Sequence, residues 1–340
     1  MDSNGGLTMA DPGDDPPPGD PPGDPEPAPV RRTRVARLVA WIAVLVAVVV
    51  VAVVVVIDVG PPSEADLRQR ALGGRSELLI GVKDDTPGVS LRDKVTGEYA
   101  GFDIDIAYLI AGDLGFRPDQ VRFLSIETED RARMQARGGD GRFVTVDLVV
   151  ASFSITKERA EQPGVRFAGP YLSTQQSVVT GKAHKPVSSL EDLRGERVCT
   201  LATSTSSEVA KSAGVTLSGK NEISACVAGL GSGEFDAVTT DAAILAGFVA
   251  QDGGQTLVHH DVGLTGDERW GVNCGDNEAL QTLVNLYLFR SAHDPTDRRW
   301  EQAYDKYLRS EQRFSPNQQV AIDHQPEVPE VDVRRWPWQR

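Results

Sequence analysis

The side chains with chemistry to offer gather in residues 147–171, DLVVASFSITKERAEQPGVRFAGPY. Leu148, Val149, Val150 and Ala151 form a short apolar run suited to a buried strand. Within two residues the chain turns polar, with Ser152, Ser154, Thr156, Lys157 and Arg159, and a turn signal closes the stretch at Gly169-Pro170. Hydroxyls at the end of a buried strand, followed by an arginine, make a socket for a carboxylate. The hydroxyls and freed backbone N–H groups donate to the anion, and the guanidinium adds a planar pair of donors. The same residues also suit a plain strand exit with a solvated arginine.

Other stretches carry chemistry of the same kind. Ala202-Thr203-Ser204-Thr205-Ser206-Ser207 lies between an apolar strand, 197–201, and a helix expected over 207–212. A helix N-terminus there would bind an anion through free N–H groups, although most Ser/Thr runs are only loops. Asp241 precedes the apolar helix 242–251 and suits either its N-cap or a ligand cation. Lys83 ends the strand 78–83 beside Asp84 and Asp85, so it either faces a ligand or is neutralised on the surface. Arg131 is expected on a helix capped by Thr128 that also carries Met134 and Arg137. Pairing with Glu127 or Asp130 is its plainer role. No metal-ligand spacing, nucleophile elbow or isolated acid/base pair stands out, so no metal, cofactor or catalytic residue is expected.

Strands alternate with helices along residues 77–312, which argues for an α/β chain with mostly parallel sheets. Asp103 reads as an N-cap and Asp105 as a first-turn charge, with Ile104, Ala107, Tyr108 and Ala111 at helical spacing. Residues 188–195 suggest a short helix with Ser189 and Asp192 as a capping pair. Trp300, Tyr304 and Tyr307 at helical spacing read as core. Residues 313–340 read as a polar, Pro-containing tail ending in WPW, and residues 59–76 as a linker with one helical turn.

Composition is that of a globular chain, with 25% charged and 40% hydrophobic residues. The net charge of −14 is concentrated at one end: residues 1–30 hold seven acids and no base. Nothing basic and extended suggests nucleic acid. Residues 1–34 read as a disordered cytoplasmic tail. Residues 35–58 read as a transmembrane helix, because 38–57 run uncharged for the length of a bilayer. Arg31, Arg32, Arg34 and Arg37 precede the span, so the N-terminus is expected inside and the rest outside the cell. A cleaved signal peptide is the rival reading, with a normally shorter apolar core. Outside the membrane, two of Cys199, Cys226 and Cys274 could pair.

The string D-x-x-x-A-S-x-S-I-T-x-x-R, followed by F-A-G-P-Y, resembles the ligand-contact segment of family 3 extracellular solute-binding proteins, the polar amino-acid receptors of ABC importers. G-F-D-I-D-I-A at 101–107 and D-A-V-x-x-D at 236–241 are similar to two further strings of the family. Ile80–Gly88 is similar to the I-G-x-K-x-D-x-P-G of its glutamate-type members. The resemblance covers roughly residues 77–312. It implies a two-lobed, type II periplasmic-binding-protein-like fold after one transmembrane helix. Lobe 1 would be about 77–181 and 266–312, and lobe 2 about 182–265, closing on ligand by hinge motion.

The resemblance also implies roles. Arg159 would hold the α-carboxylate, helped by Thr205 and Ser206, and Asp241 would take the ammonium. Ala151 and Ser152 would offer main-chain groups and Ser154 its hydroxyl. Lys83 and Arg131 would face the side-chain end, which favours glutamate or aspartate over glutamine. A Cys199–Cys226 disulfide follows the pattern of actinobacterial members. The implied partners are an amino-acid ligand and ABC permease subunits. A sensor with a signalling partner stays open, as do the cyclohexadienyl dehydratases and murein-active enzymes that share the fold.

Overall fold

The computed structural model describes residues 30–264 and 268–334, with side chains described over 33–55 and from Gly60 onward. Residues 1–29 of the acidic tail and the WPW motif lie outside the described residues.

Two units are distinct, Met1–Gly60 and Pro61–Arg340. The described part of the first is one helix, Val30–Val59. Its segment Thr33–Val55 is 23 residues long and reaches a mean hydropathy of 3.4 over 18 residues, long and apolar enough to cross a membrane. The helix already runs at Val30, a little before the span expected from residue 35.

The second unit is built on two large sheets. In the first, Leu78–Val82 lies between Val121–Ser125 and Leu148–Ser154, parallel to both. Gln135–Arg137 and Phe143–Thr145 extend one side as antiparallel strands. Glu268–Asn273 and Phe167–Thr174 extend the other, also antiparallel. In the second sheet, Arg197–Leu201 is parallel to Thr216–Lys220 and Ala237–Asp241. Gln176–Gly181 and Leu257–His260 complete it in antiparallel pairing. The sheets are therefore mixed rather than mostly parallel. Only the βαβ part of each lobe is parallel; hairpins and the crossing strands run back against it.

The first crossing falls between Thr174 and Gln176, so lobe 2 begins with the strand Gln176–Gly181 rather than at residue 182. The chain re-enters the first sheet at Glu268. Leu148–Ser154 is buried along its whole length, as a central strand must be. The helices Phe102–Asp113 and Glu278–His293 pack apolar faces on this lobe, around fully buried Trp270, Trp300, Tyr171 and Tyr287. Trp300 and Tyr304 are core, as their spacing suggests, and Tyr307 is half-buried beside them.

Some elements differ from expectation. No helix carries Arg131: a 3-10 turn, Thr128–Asp130, leads into the strand Gln135–Arg137, with Met134 at φ 58°. The linker holds a nine-residue helix, Glu64–Leu72, closed by a Ser63/Asp66 capping box, and buries Leu67 and Ala71. The C-terminal segment from Arg313 to Arg334 is also packed, with Val320, Ala321, Val328 and Val333 buried. It touches lobe 2 where Ser315 Oγ lies 2.8 Å from His259 Nδ1. It passes the crossing, where Thr174 Oγ1 donates to the Val320 carbonyl and the Ile322 N–H to that of Ser173. It then follows lobe 1, where Gln325 donates to the Leu288 carbonyl and Arg334 meets Pro62 and Asp66. In lobe 2, Cys199 of a central strand and Cys226 of the helix Ile223–Ser232 form the disulfide, and Cys274 is a buried thiol.

Candidate functional site

In each lobe the parallel strands end at one edge, and the candidate residues emerge there. Open α/β sheets bind ligands outside these carboxyl ends. Lys83 follows Leu78–Val82, Ser152 and Ser154 end Leu148–Ser154, and Asp241 ends Ala237–Asp241. Thr205 and Ser206 open the helix Thr205–Ser212 just after Arg197–Leu201.

Hydrogen bonds join the two edges. Arg159 Nη1 donates to the Ser154 carbonyl at 2.9 Å, and Nη2 to the Thr203 carbonyl of lobe 2 at 3.3 Å. The Ser224 N–H donates to Asp85 Oδ2 at 3.1 Å. Trp270 Nε1, on the crossing strand in the first sheet, donates to Asp241 Oδ2 at 2.6 Å. The lobes are closed on each other.

Arg159 and Arg131 lie against the same ring, with guanidinium carbons 4.9 and 4.7 Å from the Phe153 centroid. Arg131 is buried. Its Nη1 donates to the Ala151 and Ser152 carbonyls at 3.0 Å each, and its Nε to that of Thr128. Part of its capacity thus holds the strand end rather than a ligand. Burial pulls its pKa down to about 9, and the Arg159 charge adds to the shift. Burial also lowers that of Arg159. Two guanidiniums held this close attract anions.

Ser152 sits at φ 47°. Its N–H and hydroxyl both donate to Asp103 Oδ2, at 2.9 and 3.0 Å, while Tyr171 donates to Oδ1 at 2.9 Å. Asp103 is therefore a buried anchor for the site loop and not a helix cap; Gly101 holds the cap position. Burial pushes its carboxyl up to about 7, against the hydrogen bonds from Tyr171 and Ser152.

Ser204 caps the lobe 2 helix by accepting from the Ser207 N–H at 3.1 Å, after Thr203 in the left-handed region at φ 59°. The N–H groups of Thr205 and Ser206 open this helix. Ser206 Oγ is fully buried without a hydrogen-bond partner among the described residues. Gln176 reaches the same turn, donating to the Ser206 carbonyl and to Thr239 Oγ1.

Asp241 occupies the N-cap position of Ala242–Gln251, yet no side-chain cap bond forms among the described residues. Its carboxyl turns to Trp270 instead. Burial pushes its pKa up to about 7, the charge of Glu268 adds to this, and Trp270, Arg131 and Arg159 oppose it.

Lys83 is buried, with Nζ 3.8 Å from Asp85 Oδ1. Its charge is thus already matched. Sequence reasoning overlooks Phe153, Trp270 and Gln176 as parts of this site, whereas Asp85 is named there as a possible partner of Lys83. A phenylalanine or tryptophan within an apolar strand carries the signature of core. Among the described residues, no group of three His, Cys, Asp or Glu side chains could hold a metal ion.

Residues 78–310 match the model of bacterial extracellular solute-binding proteins, family 3. A glutamate-binding protein, GluB, of Corynebacterium efficiens is 34% identical over 188 residues, which are 53% of this chain and 61% of that protein. The ABC transporter glutamine-binding protein GlnH of Bacillus subtilis is 32% identical, covering 71% of this chain and 84% of GlnH. A solved structure described as an ancestral arginine-binding protein bound to glutamine is 30% identical. It covers 69% of this chain and 98% of that one, with a TM-score of 0.59. The two-lobed fold is that of the type II periplasmic binding proteins, and the chain belongs to the bacterial extracellular solute-binding proteins of family 3.

Proposed function

We propose that the protein is a membrane-anchored extracellular receptor that captures an acidic amino acid, glutamate or aspartate, and delivers it to an ABC permease. The observation that carries this reading is the placement of Arg159, Arg131 and Asp241 around one closed interface between the lobes. Arg159 and the Thr205–Ser206 turn would hold the α-carboxylate, and Asp241 would receive the ammonium. Arg131, with the Ser154 hydroxyl, would face the side-chain carboxylate. The two guanidiniums and Asp241 together carry one positive charge, which a glutamate anion neutralises. The named binding activities of GluB and GlnH support an amino-acid ligand.

Glutamine is the second reading, because the Lys83 charge is already paired with Asp85. That pairing reduces the cations facing a ligand side chain. Anchoring rests on the apolar segment Thr33–Val55, and orientation with the N-terminus in the cytoplasm rests on the arginines before it. Calorimetric titration of the full-length protein in nanodiscs with L-glutamate, L-aspartate and L-glutamine tests the ligand. Tighter binding of an acidic amino acid than of glutamine is expected. Tighter binding of glutamine than of both acids refutes the charge argument.

A further inference from the structure

We infer that Trp270 is a positioning residue for the ligand ammonium: its indole N–H crosses from lobe 1 to fix one oxygen of Asp241 and leaves the other for an amine. The inference rests on the reading of Asp241 as the ammonium partner. Trp270 is fully buried in the first sheet, paired in register with Ser154 and Leu172. The Tyr171 ring packs beside it, with centroids 6.2 Å apart. Its ring therefore cannot follow a moving carboxylate. Asp241 belongs to the other lobe, paired in register with Gln176. The 2.6 Å bond to Oδ2 joins the two lobes in this closed arrangement and aims the carboxylate there.

A carboxylate without this donor would have two free oxygens and the guanidiniums of Arg131 and Arg159 nearby. Rotation toward those cations would compete with the ammonium for its charge. Holding Oδ2 on a neutral donor favours the charged form of Asp241 without spending it on an arginine. Glu268, on the same strand as Trp270, also acts on Asp241 and disfavours its charged form, which makes the donor more important. Selectivity for an amine-bearing ligand over its amine-free analogue should thus depend on the indole N–H.

The test compares L-glutamate with glutarate, and L-glutamine with glutaramate, each pair differing in the α-amine. Dissociation constants are measured for full-length wild-type, Trp270→Phe and Asp241→Asn proteins in nanodiscs. In Trp270→Phe the preference for the amine-bearing ligand should fall by at least about tenfold. The loss should lie in amino-acid binding, and the pH midpoint of that binding should move upward. Placing β-(3-benzothienyl)alanine at position 270 makes the same comparison with the ring volume kept, should the phenylalanine variant fold poorly. Equal weakening of both members of each pair, or an unchanged preference, overturns the role of Trp270. If Asp241→Asn also leaves the preference unchanged, Asp241 itself is misassigned. If Asp241→Asn removes it and both Trp270 replacements do not, only the indole's role fails.

Discussion

Buried without a cation of its own, the Asp241 carboxyl rises to about 7, first through burial and then through the charge of Glu268. The consequence for binding has a definite sign. Below pH 7 the empty site holds a proton on Asp241, and an arriving ammonium must displace it. Amino-acid affinity should therefore weaken as pH falls from 7 to 5, by about tenfold per unit, and level off above 7. Calorimetry across that range checks it, and a flat profile would contradict the assignment. The D-A-V-x-x-D string made Asp241 legible, and A-S-x-S-I-T-x-x-R did the same for Arg159. Asp103 was not legible as a buried anchor, because an acid at the start of a helix has the same pattern as a cap. Its true partners, Ser152 and Tyr171, are distant in sequence. Arg131 is visible as a cation, but its bonds to the Ala151 and Ser152 carbonyls depend on the strand end beside it.

At the scale of elements, closure depends on the fit of Ala242–Gln251 against the Pro87-Gly88 turn. A Cβ on Gly247 would stand 1.9 Å from the Pro87 carbonyl oxygen, too close for real atoms. A backbone carbonyl cannot swing aside like a side-chain tip, so the lobes would separate to make room. Gly247→Ala should reduce ligand affinity by about tenfold or more while the apo protein keeps its fold. Equal affinity in the variant would show that the turn yields or that closure is dispensable. Helix Ala242–Gln251 is readable residue by residue from its apolar run and flanking polar residues. The strand Gln176–Gly181 is also readable as a strand, but local pattern does not say which sheet receives it. The expected helix around Arg131 fails at Met134, whose left-handed backbone turns the chain into a strand.

Across the whole molecule, the segment from Arg313 to Arg334 adds a tie between the lobes beyond the two crossings. It lies past residue 310, where the family match ends. Ser315 meets His259, which in turn lies 2.8 Å from Ser177. Burial pulls the pKa of His259 down to about 3, so the ring stays neutral in the fold. Its stabilising effect is present above the unfolded value of about 6.5 and is lost as pH falls toward 3. A chain ending at Gln312 should lose roughly 5 °C or more in Tm, since four buried apolar side chains go with the segment. An unchanged Tm would mean that the segment is bound too weakly to matter. The sequence conceals this tie because Val320, Ala321, Val328 and Val333 follow no helical or strand period. A polar composition then reads as a tail, although the few apolar residues are enough to pack it.

In the proposed receptor, Arg159 holds the α-carboxylate of an amino acid between the closed lobes. The most direct measurement is titration of L-glutamate into full-length wild-type protein and its Arg159→Ala variant, with circular dichroism confirming that both are folded. The guanidinium is mostly buried and bridges Ser154 to Thr203, so its removal leaves a desolvated carboxylate without a partner. Such a loss costs about 3–5 kcal/mol. Wild type should bind saturably, and Arg159→Ala at least about 100-fold more weakly. Binding of equal strength by a folded Arg159→Ala protein would contradict this role of Arg159.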